Sequence, residues 1–473
     1  MRGRSLFVSL ATALTLALPA VGATAPAAAA ADDAPPAKLV TPVMSLRRLA
    51  SPLTRTVATT RLTTQLDRAV QGAAEDTTCL AVQDPSGRIL YSRHPDLPLI
   101  PASTLKLVTT AVALAKIGPE ARLVTDVRAS SAPASGSVGD LWLVGGGDPL
   151  LSTADFAVEG GYMAQSRLAT PMEALADKVV AAGVRHVGRV VGDDSRYDAQ
   201  RTVPTWLPRY ITNFEISPLS ALTVNKGFLT FKPPTEVTPS QATHAATVLS
   251  DLLKGRGVAV DGAAAEGVAP SGAVTITSIE SPPLAEVVGE TLQHSDNLAA
   301  EMLLKELGVR FGGAGSTAAG LDVVHRHLSE TGLPDDELTA ADGSGLDRSD
   351  RLTCDLLQQV LVNGGAGGAL DKALPVAGGA GTLHRRFVNT PAAGKVRAKT
   401  GSLEGVVGLS GWASAEDGAA MAFSLLANGL PTTSAGSVLQ DRVAAAVAAY
   451  PQAPTPTEVA PLPASPAAPA PPP

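Results

Sequence analysis

Aromatic residues are scarce in this chain, which has 3 Trp, 5 Tyr and 8 Phe among 473 residues. Clusters of basic residues are missing as well, and the formal net charge is −7. A nucleic-acid interface needs a basic patch or aromatic side chains that stack on bases. The composition therefore argues against nucleic acid as a partner. With 45 Gly and 37 Pro, the chain is instead typical of a loop-rich globular protein.

Long apolar runs are missing beyond the N-terminus, since no later stretch reaches the roughly 18 residues that a spanning helix needs. Residues 1–31 combine Arg2 and Arg4 with an apolar segment from Leu6 to Val21 and a run of small residues. This pattern predicts a secretory signal peptide. We therefore expect a protein without a transmembrane anchor, secreted across the cytoplasmic membrane to the cell wall, the extracellular space or the periplasm.

Cysteine is almost absent, with only Cys79 and Cys354 in the chain. An oxidising compartment would allow the two thiols to form a disulfide. Two buried free thiols stay open as the alternative, because the sequence does not give their separation in space. The seven histidines lack the spacing of a metal site, and we expect neither a metal nor another cofactor.

The pattern of residue types divides the chain into segments. Residues 32–58 predict a linker, and the Pro/Ala-rich residues 451–473 predict a disordered tail. Helix and strand patterns in 59–125 and 281–450 predict one discontinuous α+β domain, an antiparallel sheet covered by helices from both ends of the chain. Short strand-like runs between turn residues fill 126–280 and predict a β-rich region inserted into that domain.

Three short motifs follow one another along the two parts of this domain: Ser103-Thr104-Leu105-Lys106, Ser295-Asp296-Asn297 and Lys399-Thr400-Gly401. Each is a weak signal alone, but the set in this order is the signature of penicillin-binding proteins and class A β-lactamases. The first motif opens a predicted helix, the second lies between helices, and the third lies on a predicted strand. The fold expected is therefore a serine β-lactamase/transpeptidase-like domain.

The first motif supplies a nucleophile and its base. A serine hydroxyl is a poor nucleophile until a neighbouring group takes its proton. Positions i and i+3 share a helix face, so the Lys106 amine can reach Ser103 Oγ. A lysine with an ordinary pKa near 10.4 would be protonated and could not act as a base. We therefore expect burial and a second ammonium group, that of Lys399, to lower the pKa of Lys106.

The other two motifs suit proton transfer and substrate binding. We expect Ser295 to relay a proton to the leaving amine, and Asn297 to donate to the substrate amide carbonyl and help to hold the lysine of the first motif. The N–H groups of Ser103 and Ser402 would form the oxyanion hole. The terminal carboxylate of the substrate would lie at the third motif, whose binding residues are Lys399, Thr400, Gly401 and Ser402.

From about residue 60 to residue 450 the chain resembles the D-alanyl-D-alanine carboxypeptidase/endopeptidase family of low-molecular-mass class C penicillin-binding proteins, peptidase family S13. Besides the three motifs, the likeness includes the stretches "LVGGGDPLL", "VGDDSRYD", "SALTVNKG" and "DGSGLDRSDRLT". In that family a long insertion separates the first two motifs, as residues 126–280 do here. Class A β-lactamases share the motifs but lack such an insertion.

The resemblance implies a serine DD-peptidase that removes the terminal D-Ala of peptidoglycan stem peptides, cleaves D-Ala cross-links, or both, through an acyl-enzyme on the first-motif serine. It implies that β-lactam antibiotics inhibit the enzyme by acylating the same serine. It also places Tyr197 and Asp198 near the substrate side chain and Arg348 near the carboxylate of that side chain. Two residues depart from the family pattern, because Arg196 replaces an aromatic residue and Asp347 replaces a serine.

Two other functions stay open at this point. A serine β-lactamase would need a carboxylate that activates water for rapid deacylation, and no obvious candidate stands between the motifs. A catalytically weak wall-binding or penicillin-sensing module would not require the complete set of motif residues, which argues against it.

Overall fold

The computed structural model describes residues 51–159, 168–231, 234–415 and 418–451. The predicted signal peptide, residues 32–50 of the predicted linker and residues 452–473 of the predicted tail lie outside the described residues. No helix in the described ranges is long and apolar enough to cross a membrane.

Helices and strands are interspersed along the described chain. The helices are α1 (Ser51–Ala69), α2 (Lys106–Ile117), α3 (Ala154–Glu159), α4 (Met172–Ala181), α5 (Arg209–Thr212), α6 (Gln241–Lys254), α7 (Leu284–Gln293), α8 (Asn297–Leu307), α9 (Thr317–Glu330), α10 (Cys354–Gly364), α11 (Ala369–Lys372) and α12 (Thr433–Ala448). The strands are β1 (Thr78–Gln83), β2 (Ile89–Arg93), β3 (Val124–Ala129), β4 (Ser137–Val144), β5 (Leu151–Ser152), β6 (Thr170–Pro171), β7 (His186–Asp193), β8 (Phe228–Phe231), β9 (Pro234–Val237), β10 (Ala259–Val260), β11 (Ala265–Glu266), β12 (Val274–Glu280), β13 (Leu338–Thr339), β14 (Arg351–Leu352), β15 (Val396–Leu403), β16 (Val406–Ser414) and β17 (Ala420–Asn428).

Helix α1 differs from the prediction, because it begins at Ser51 and residues 51–58 of the predicted linker are helical. Ala58, Leu62 and Leu66 lie four residues apart and are all buried, so they form one apolar stripe. Ala58 adds a turn to the stripe that the two leucines define. Alanine next to polar residues indicates a buried helix face less clearly than leucine does. The predicted start of this helix is therefore later than the observed one.

The first sheet has five strands in the order β15-β16-β17-β1-β2, and all neighbours are antiparallel. Alternate residues of β1 point to opposite faces. Leu80 and Val82 join a core with helices α1 and α12, whereas Cys79 and Ala81 join a core with helices α2 and α10. The predicted α+β class, with an antiparallel sheet covered by helices from both ends of the chain, is confirmed.

Residues 124–280 carry a second sheet in the order β10-β7-β4-β3-β12. Strand β7 is parallel to β4 and β10, whereas β3 is antiparallel to β4 and β12, so the sheet is mixed. Helices α4 and α6 contribute to its core. The sequence predicts a β-rich region here and not helix α4, although the buried residues of this helix have helical spacing: Met172, Leu175, Ala176 and Val179.

A segment of residues 126–280 packs directly on the part of the chain that carries the second motif. Tyr197, Trp206 and Leu219 share one hydrophobic core with Leu298 and Met302 of helix α8. Helix α8 begins at Asn297 of the second motif. The insertion therefore contacts the helix that positions a predicted catalytic residue.

A disulfide joins the first strand of the five-stranded sheet to the start of helix α10. Cys79 and Cys354 have an S–S distance of 2.03 Å and a Cα–Cα distance of 5.9 Å. Both residues are fully buried. The bond closes a loop with a sequence separation of 275, which contains the whole inserted region.

We expect the double substitution of Cys79 and Cys354 by alanine to lower the free energy of unfolding by about 2–4 kcal/mol, because the unfolded chain regains the freedom that the closed loop removes. Urea unfolding followed by tryptophan fluorescence would measure the loss. Wild-type protein treated with dithiothreitol serves as the control and should unfold at the same urea concentration as the variant. Equal midpoints for the variant and the oxidised wild type would contradict the prediction.

Candidate active site

Ser103 lies on a single 3₁₀ turn, Ala102–Leu105, that leads directly into helix α2. A 3₁₀ helix has three residues per turn, so Ser103 and Lys106 lie one above the other. Lys106 Nζ is 3.0 Å from Ser103 Oγ. The structure thus brings the candidate nucleophile and the candidate base into contact.

The turn that carries Ser103 has a sparsely populated backbone conformation. Ala102 has a φ of 48°, in the left-handed region that residues with a Cβ rarely adopt. Two glycines approach it closely: a Cβ on Gly345 would lie 1.9 Å from Ala102 O, and a Cβ on Gly401 would lie 2.6 Å from Pro101 O. Only glycine fits at these two contacts, which fix the position of the turn.

The second motif is the link between helices α7 and α8. Asp296 caps α8, because its carboxylate accepts a hydrogen bond from Ala299 N at 3.0 Å. The same side chain forms an ion pair with Lys226 Nζ at 2.6 Å. Burial alone would raise the pKa of Asp296, but the charge of Lys226 and these hydrogen bonds lower it. Ser295, just before the cap, has a φ of 56°.

Lys106 Nζ contacts three oxygen atoms: Ser103 Oγ at 3.0 Å, Asn297 Oδ1 at 2.6 Å and Ser344 O at 2.6 Å. Asn297 Nδ2 donates to Glu215 O at 2.8 Å, so the amide oxygen faces the lysine. A neutral amine has two N–H groups and one lone pair. The amide and backbone oxygens only accept, so they take both N–H groups. The lone pair is left for the proton of the serine hydroxyl.

Lys399 lies on strand β15 and is fully buried. Its Nζ donates to Ser295 Oγ at 2.8 Å and to Thr400 O at 2.7 Å. Further along the strand Gly401 is buried and Ser402 is exposed. The five predicted catalytic residues therefore form one group, whereas Ser402 lies at its solvent-exposed side.

Both lysines of the site have strongly lowered pKa values. Burial lowers the pKa of Lys106 to about 8, although nearby carboxyl groups act in the opposite direction. Burial lowers the pKa of Lys399 well below its ordinary value, and the charge of Lys106 lowers it further. The expected repulsion between the two ammonium groups lowers the pKa of Lys399 and not that of Lys106. Each shift makes the neutral amine more abundant near physiological pH, as a general base requires.

Three carboxyl groups near Lys106 are site residues that sequence reasoning missed. Burial raises the pKa of Glu301 to about 8 and that of Asp350 to about 10, and it also raises the pKa of Asp342. Acidic residues are mostly exposed, so their sequence gives no signal of burial.

The described residues contain no group of three or more His, Cys, Asp or Glu side chains that could hold a metal ion. Thr382, also missed, accepts a hydrogen bond from Thr400 Oγ1 at 3.3 Å.

Tyr197 and Asp198 both contact helix α8, and their expected place near the substrate side chain stays a prediction. Tyr197 is buried and its hydroxyl donates to Met302 O at 2.9 Å. Asp198 accepts a hydrogen bond from the fully buried Lys305. Lys305 lies about 12 Å along helix α8 from its first residue. The phenol ring is thus used in the core, and the carboxylate neutralises a buried lysine.

Arg348 lies at the mouth of the site, where it is exposed and donates to Glu404 O at 3.0 Å. The Glu404 carboxylate also forms an exposed ion pair with Arg209 at 3.6 Å. An open cleft of about 690 Å³ extends from this point. The predicted binding residue Ser402 lines this cleft together with residues that sequence reasoning missed: Arg209, Tyr210, Glu215 and Glu404.

Sequence comparisons point to one family. The model described as the D-Ala-D-Ala carboxypeptidase 3 (S13) family matches residues 62–243 and 232–450. The D-alanyl-D-alanine carboxypeptidase of Actinomadura sp. (strain R39) is 32% identical over 467 residues, which cover 81% of this chain and 83% of that protein. Carboxypeptidase DacB of Mycolicibacterium smegmatis is 32% identical over 353 residues, with coverages of 72% and 74%.

Solved structures with the same fold include penicillin binding protein 4 from Haemophilus influenzae. It matches with a TM-score of 0.67 and 19% identity, over 80% of this chain and 97% of that chain. The same protein complexed with a β-lactam matches with a TM-score of 0.62 and 18% identity, over the same shares of the two chains. At this level of identity the likeness shows the fold alone.

We expect acylation of Ser103 by a β-lactam to become faster as the pH rises through about 8. Below that pH Lys106 is mainly protonated and cannot take the serine proton, so the second-order rate constant should fall about tenfold per pH unit. Stopped-flow reaction with the chromogenic cephalosporin nitrocefin would measure it.

Lys106→Arg is the matched control for this pH profile, because a guanidinium stays protonated throughout the range. Loss of the base should slow acylation by about 10²–10⁴-fold above about pH 8 and should remove the pH dependence below it. A wild-type rate constant that does not change between about pH 6 and pH 9 would show that Lys106 is not the titrating base.

Proposed function

The chain belongs to the D-Ala-D-Ala carboxypeptidase 3 (S13) family and is a serine DD-peptidase, and we propose that it forms its acyl-enzyme on Ser103. The observation that carries the proposal is the set of contacts of Lys106 Nζ. Two acceptor oxygens at 2.6 Å leave the lone pair of the neutral amine for the serine hydroxyl at 3.0 Å.

In the proposed acylation step, Ser103 Oγ attacks the carbonyl carbon of the D-Ala residue while its proton passes to Lys106 Nζ. The carbonyl oxygen becomes negatively charged, and the N–H groups of Ser103 and Ser402 would donate to it. When the C–N bond breaks, the proton held by Lys106 Nζ passes through the Ser295 hydroxyl to the leaving amine, and Lys106 becomes neutral again. The contact of Ser295 Oγ with Lys399 Nζ at 2.8 Å supports this relay.

In the proposed deacylation step, water attacks the ester carbon and gives its proton to Lys106 Nζ. The ester C–O bond then breaks, and the same proton returns to Ser103 Oγ. The enzyme is restored and the shortened peptide leaves with a new carboxylate. Lys106 therefore acts as base and then as acid in each half of the reaction.

The proposed substrates are peptidoglycan stem peptides that end in D-Ala-D-Ala, and D-Ala cross-links between such peptides. Cleavage of the first is the carboxypeptidase reaction and cleavage of the second is an endopeptidase reaction, and both begin with the same acylation. The open cleft beyond Ser402 supports binding of a peptide that extends from the scissile bond. Arg348 would bind a substrate carboxylate at the rim, and Thr400 and Gly401 would hold the terminal carboxylate with Lys399.

We also propose that the protein is secreted and is inhibited by β-lactams. The predicted signal peptide supports secretion, and a disulfide between Cys79 and Cys354 agrees with an oxidising compartment. The β-lactam complex of penicillin binding protein 4 from Haemophilus influenzae supports inhibition.

The β-lactamase alternative has less support. Rapid deacylation would need a carboxylate that can activate a water molecule at the ester. Glu301 and Asp342 lie near Lys106, but both are fully buried and accept hydrogen bonds from backbone N–H groups. Neither side chain is placed to reach water in the cleft.

We expect benzylpenicillin to form a stable one-to-one adduct with the wild-type protein, because the dipeptide-like amide acylates Ser103 and the ester is hydrolysed slowly. Intact-mass spectrometry and peptide mapping would locate the adduct on Ser103. Ser103→Ala should form no adduct and should release no D-Ala from a peptide that ends in D-Ala-D-Ala.

Other results of the same measurements would count against the proposal. An adduct on Ser103→Ala would place the nucleophile elsewhere, and rapid turnover of nitrocefin would favour a β-lactamase. No adduct and no D-Ala release by the wild type would favour a binding module. A cross-linked stem-peptide dimer, supplied in place of the free peptide, tests the endopeptidase reaction separately.

A further inference from the structure

Residues 342–347, which we name the Asp342 loop, lie between strands β13 and β14. The Asp342 carboxylate is fully buried and accepts four N–H groups. Oδ1 accepts from Ser344 N at 3.0 Å and Gly345 N at 2.6 Å, and Oδ2 accepts from Asp347 N at 2.9 Å and Trp206 Nε1 at 2.7 Å. All four partners are donors, so they match an ionised carboxylate and leave no acceptor for a carboxylic proton.

The Asp342 loop contacts the helix that carries the base. Ser344 O accepts from Lys106 Nζ at 2.6 Å, and Gly343 O accepts from Thr109 Oγ1 at 2.7 Å, one turn further along helix α2. Gly345 lies against the backbone of the turn that contains the nucleophile. The loop is therefore fixed to both partners of the proton transfer.

The inserted region holds the same loop from the other side. Trp206 donates its indole N–H to Asp342, and Thr205 donates its hydroxyl to Asp347. The Trp206 ring is buried in a core that also contains Leu346 of the loop. Two neighbouring residues of the insertion thus bind two carboxylates of one loop.

We infer that Trp206 and Asp342 are positioning residues that hold the Ser344 carbonyl against Lys106 Nζ and so keep the amine lone pair directed at Ser103. The inference rests on the proposed roles of Ser103 and Lys106. It gives the inserted region a part in proton transfer, in addition to substrate binding.

The physical reason lies in the freedom of the lysine side chain. Its four-carbon stem is flexible, so helix α2 alone does not fix the direction of Nζ. Asn297 Oδ1 fixes one N–H group, and only a second acceptor prevents rotation of the amine about that bond. The second acceptor is the Ser344 carbonyl. The position of this carbonyl depends on the hydrogen bonds by which the Asp342 carboxylate holds the loop. A misplacement of about 1 Å costs about 100-fold in rate.

The negative charge of Asp342 also affects the pKa of Lys106. Titratable groups face Lys106 from the Asp342 loop and the residues after it, from helix α8 and its cap, and from strand β15: Asp342, Asp350, Glu301, Asp296 and Lys399. The negative charge of Asp342 raises the pKa of Lys106 against the effect of burial. Removal of that charge should lower this pKa, whereas a purely structural defect would leave it unchanged.

Trp206→Phe tests the positioning role, because it removes the indole N–H and keeps an aromatic ring in the core. We expect the rate constant of the acylation step with nitrocefin to fall about 10–100-fold. The dissociation constant of the non-covalent complex should change less than about threefold, because the residue does not line the cleft. Trp142→Phe, a buried tryptophan of the second sheet, is the matched control and should acylate at the wild-type rate.

Asp342→Asn tests the charge, with the pH profile of acylation as the readout. We expect a slower reaction whose acid limb lies at lower pH than that of the wild type, because neutral Lys106 persists further into acid. A wild-type rate for Trp206→Phe, or an acid limb that Asp342→Asn leaves in place, would overturn the inference. Failure of the proposed function is distinguishable, because the wild type itself would then form no adduct on Ser103.

Discussion

The burial of two neighbouring lysines, Lys106 and Lys399, is the constraint on which the rest of the site depends. Both side chains are fully buried, and a charge on Lys106 makes protonation of Lys399 harder. A buried ammonium without partners costs several kcal/mol, so oxygen acceptors have to surround both amines. These oxygens come from four stretches of the chain: the Ser103 turn, the link between helices α7 and α8, strand β15 and the Asp342 loop. The fold must bring all four within hydrogen-bond distance of two nitrogen atoms.

The convergence of four stretches explains the unusual backbone of the site. Ala102 and Ser295 have positive φ values, and Gly345 and Gly401 lie where a Cβ would collide with the turn that carries Ser103. Conformations of this kind cost about 1–3 kcal/mol each and persist only where the surrounding structure determines them. Here the helix-covered sheet holds one side of the site and helix α8 holds the other. The strain is therefore a consequence of packing the four stretches around the two amines.

The motif residues could be predicted from the sequence because their geometry is local or lies on regular elements. Ser103 and Lys106 share one turn, and residue patterns alone indicate the antiparallel sheet that carries Lys399. Two aspartates in polar stretches, by contrast, look alike in sequence. Asp198 neutralises a buried lysine, whereas Asp342 holds the loop that contacts the base. Which role each takes depends on how distant segments pack, and a single sequence has no periodicity or spacing that records it.

The inserted region is part of the active site because it satisfies polar groups there. Residues of the insertion make three polar contacts there: Trp206 Nε1 with Asp342, Glu215 O with Asn297 Nδ2, and Lys226 with Asp296. Without the insertion, one amide and two carboxylates would lose these partners. A buried polar group without a partner costs about 1–3 kcal/mol, and a charged one costs more. All three groups are linked to a buried lysine. Asn297 contacts Lys106, Asp342 holds the loop of Ser344, which contacts Lys106, and Asp296 adjoins Ser295, which contacts Lys399. In the proposed mechanism, Lys106 therefore acts as a base only with the insertion in place.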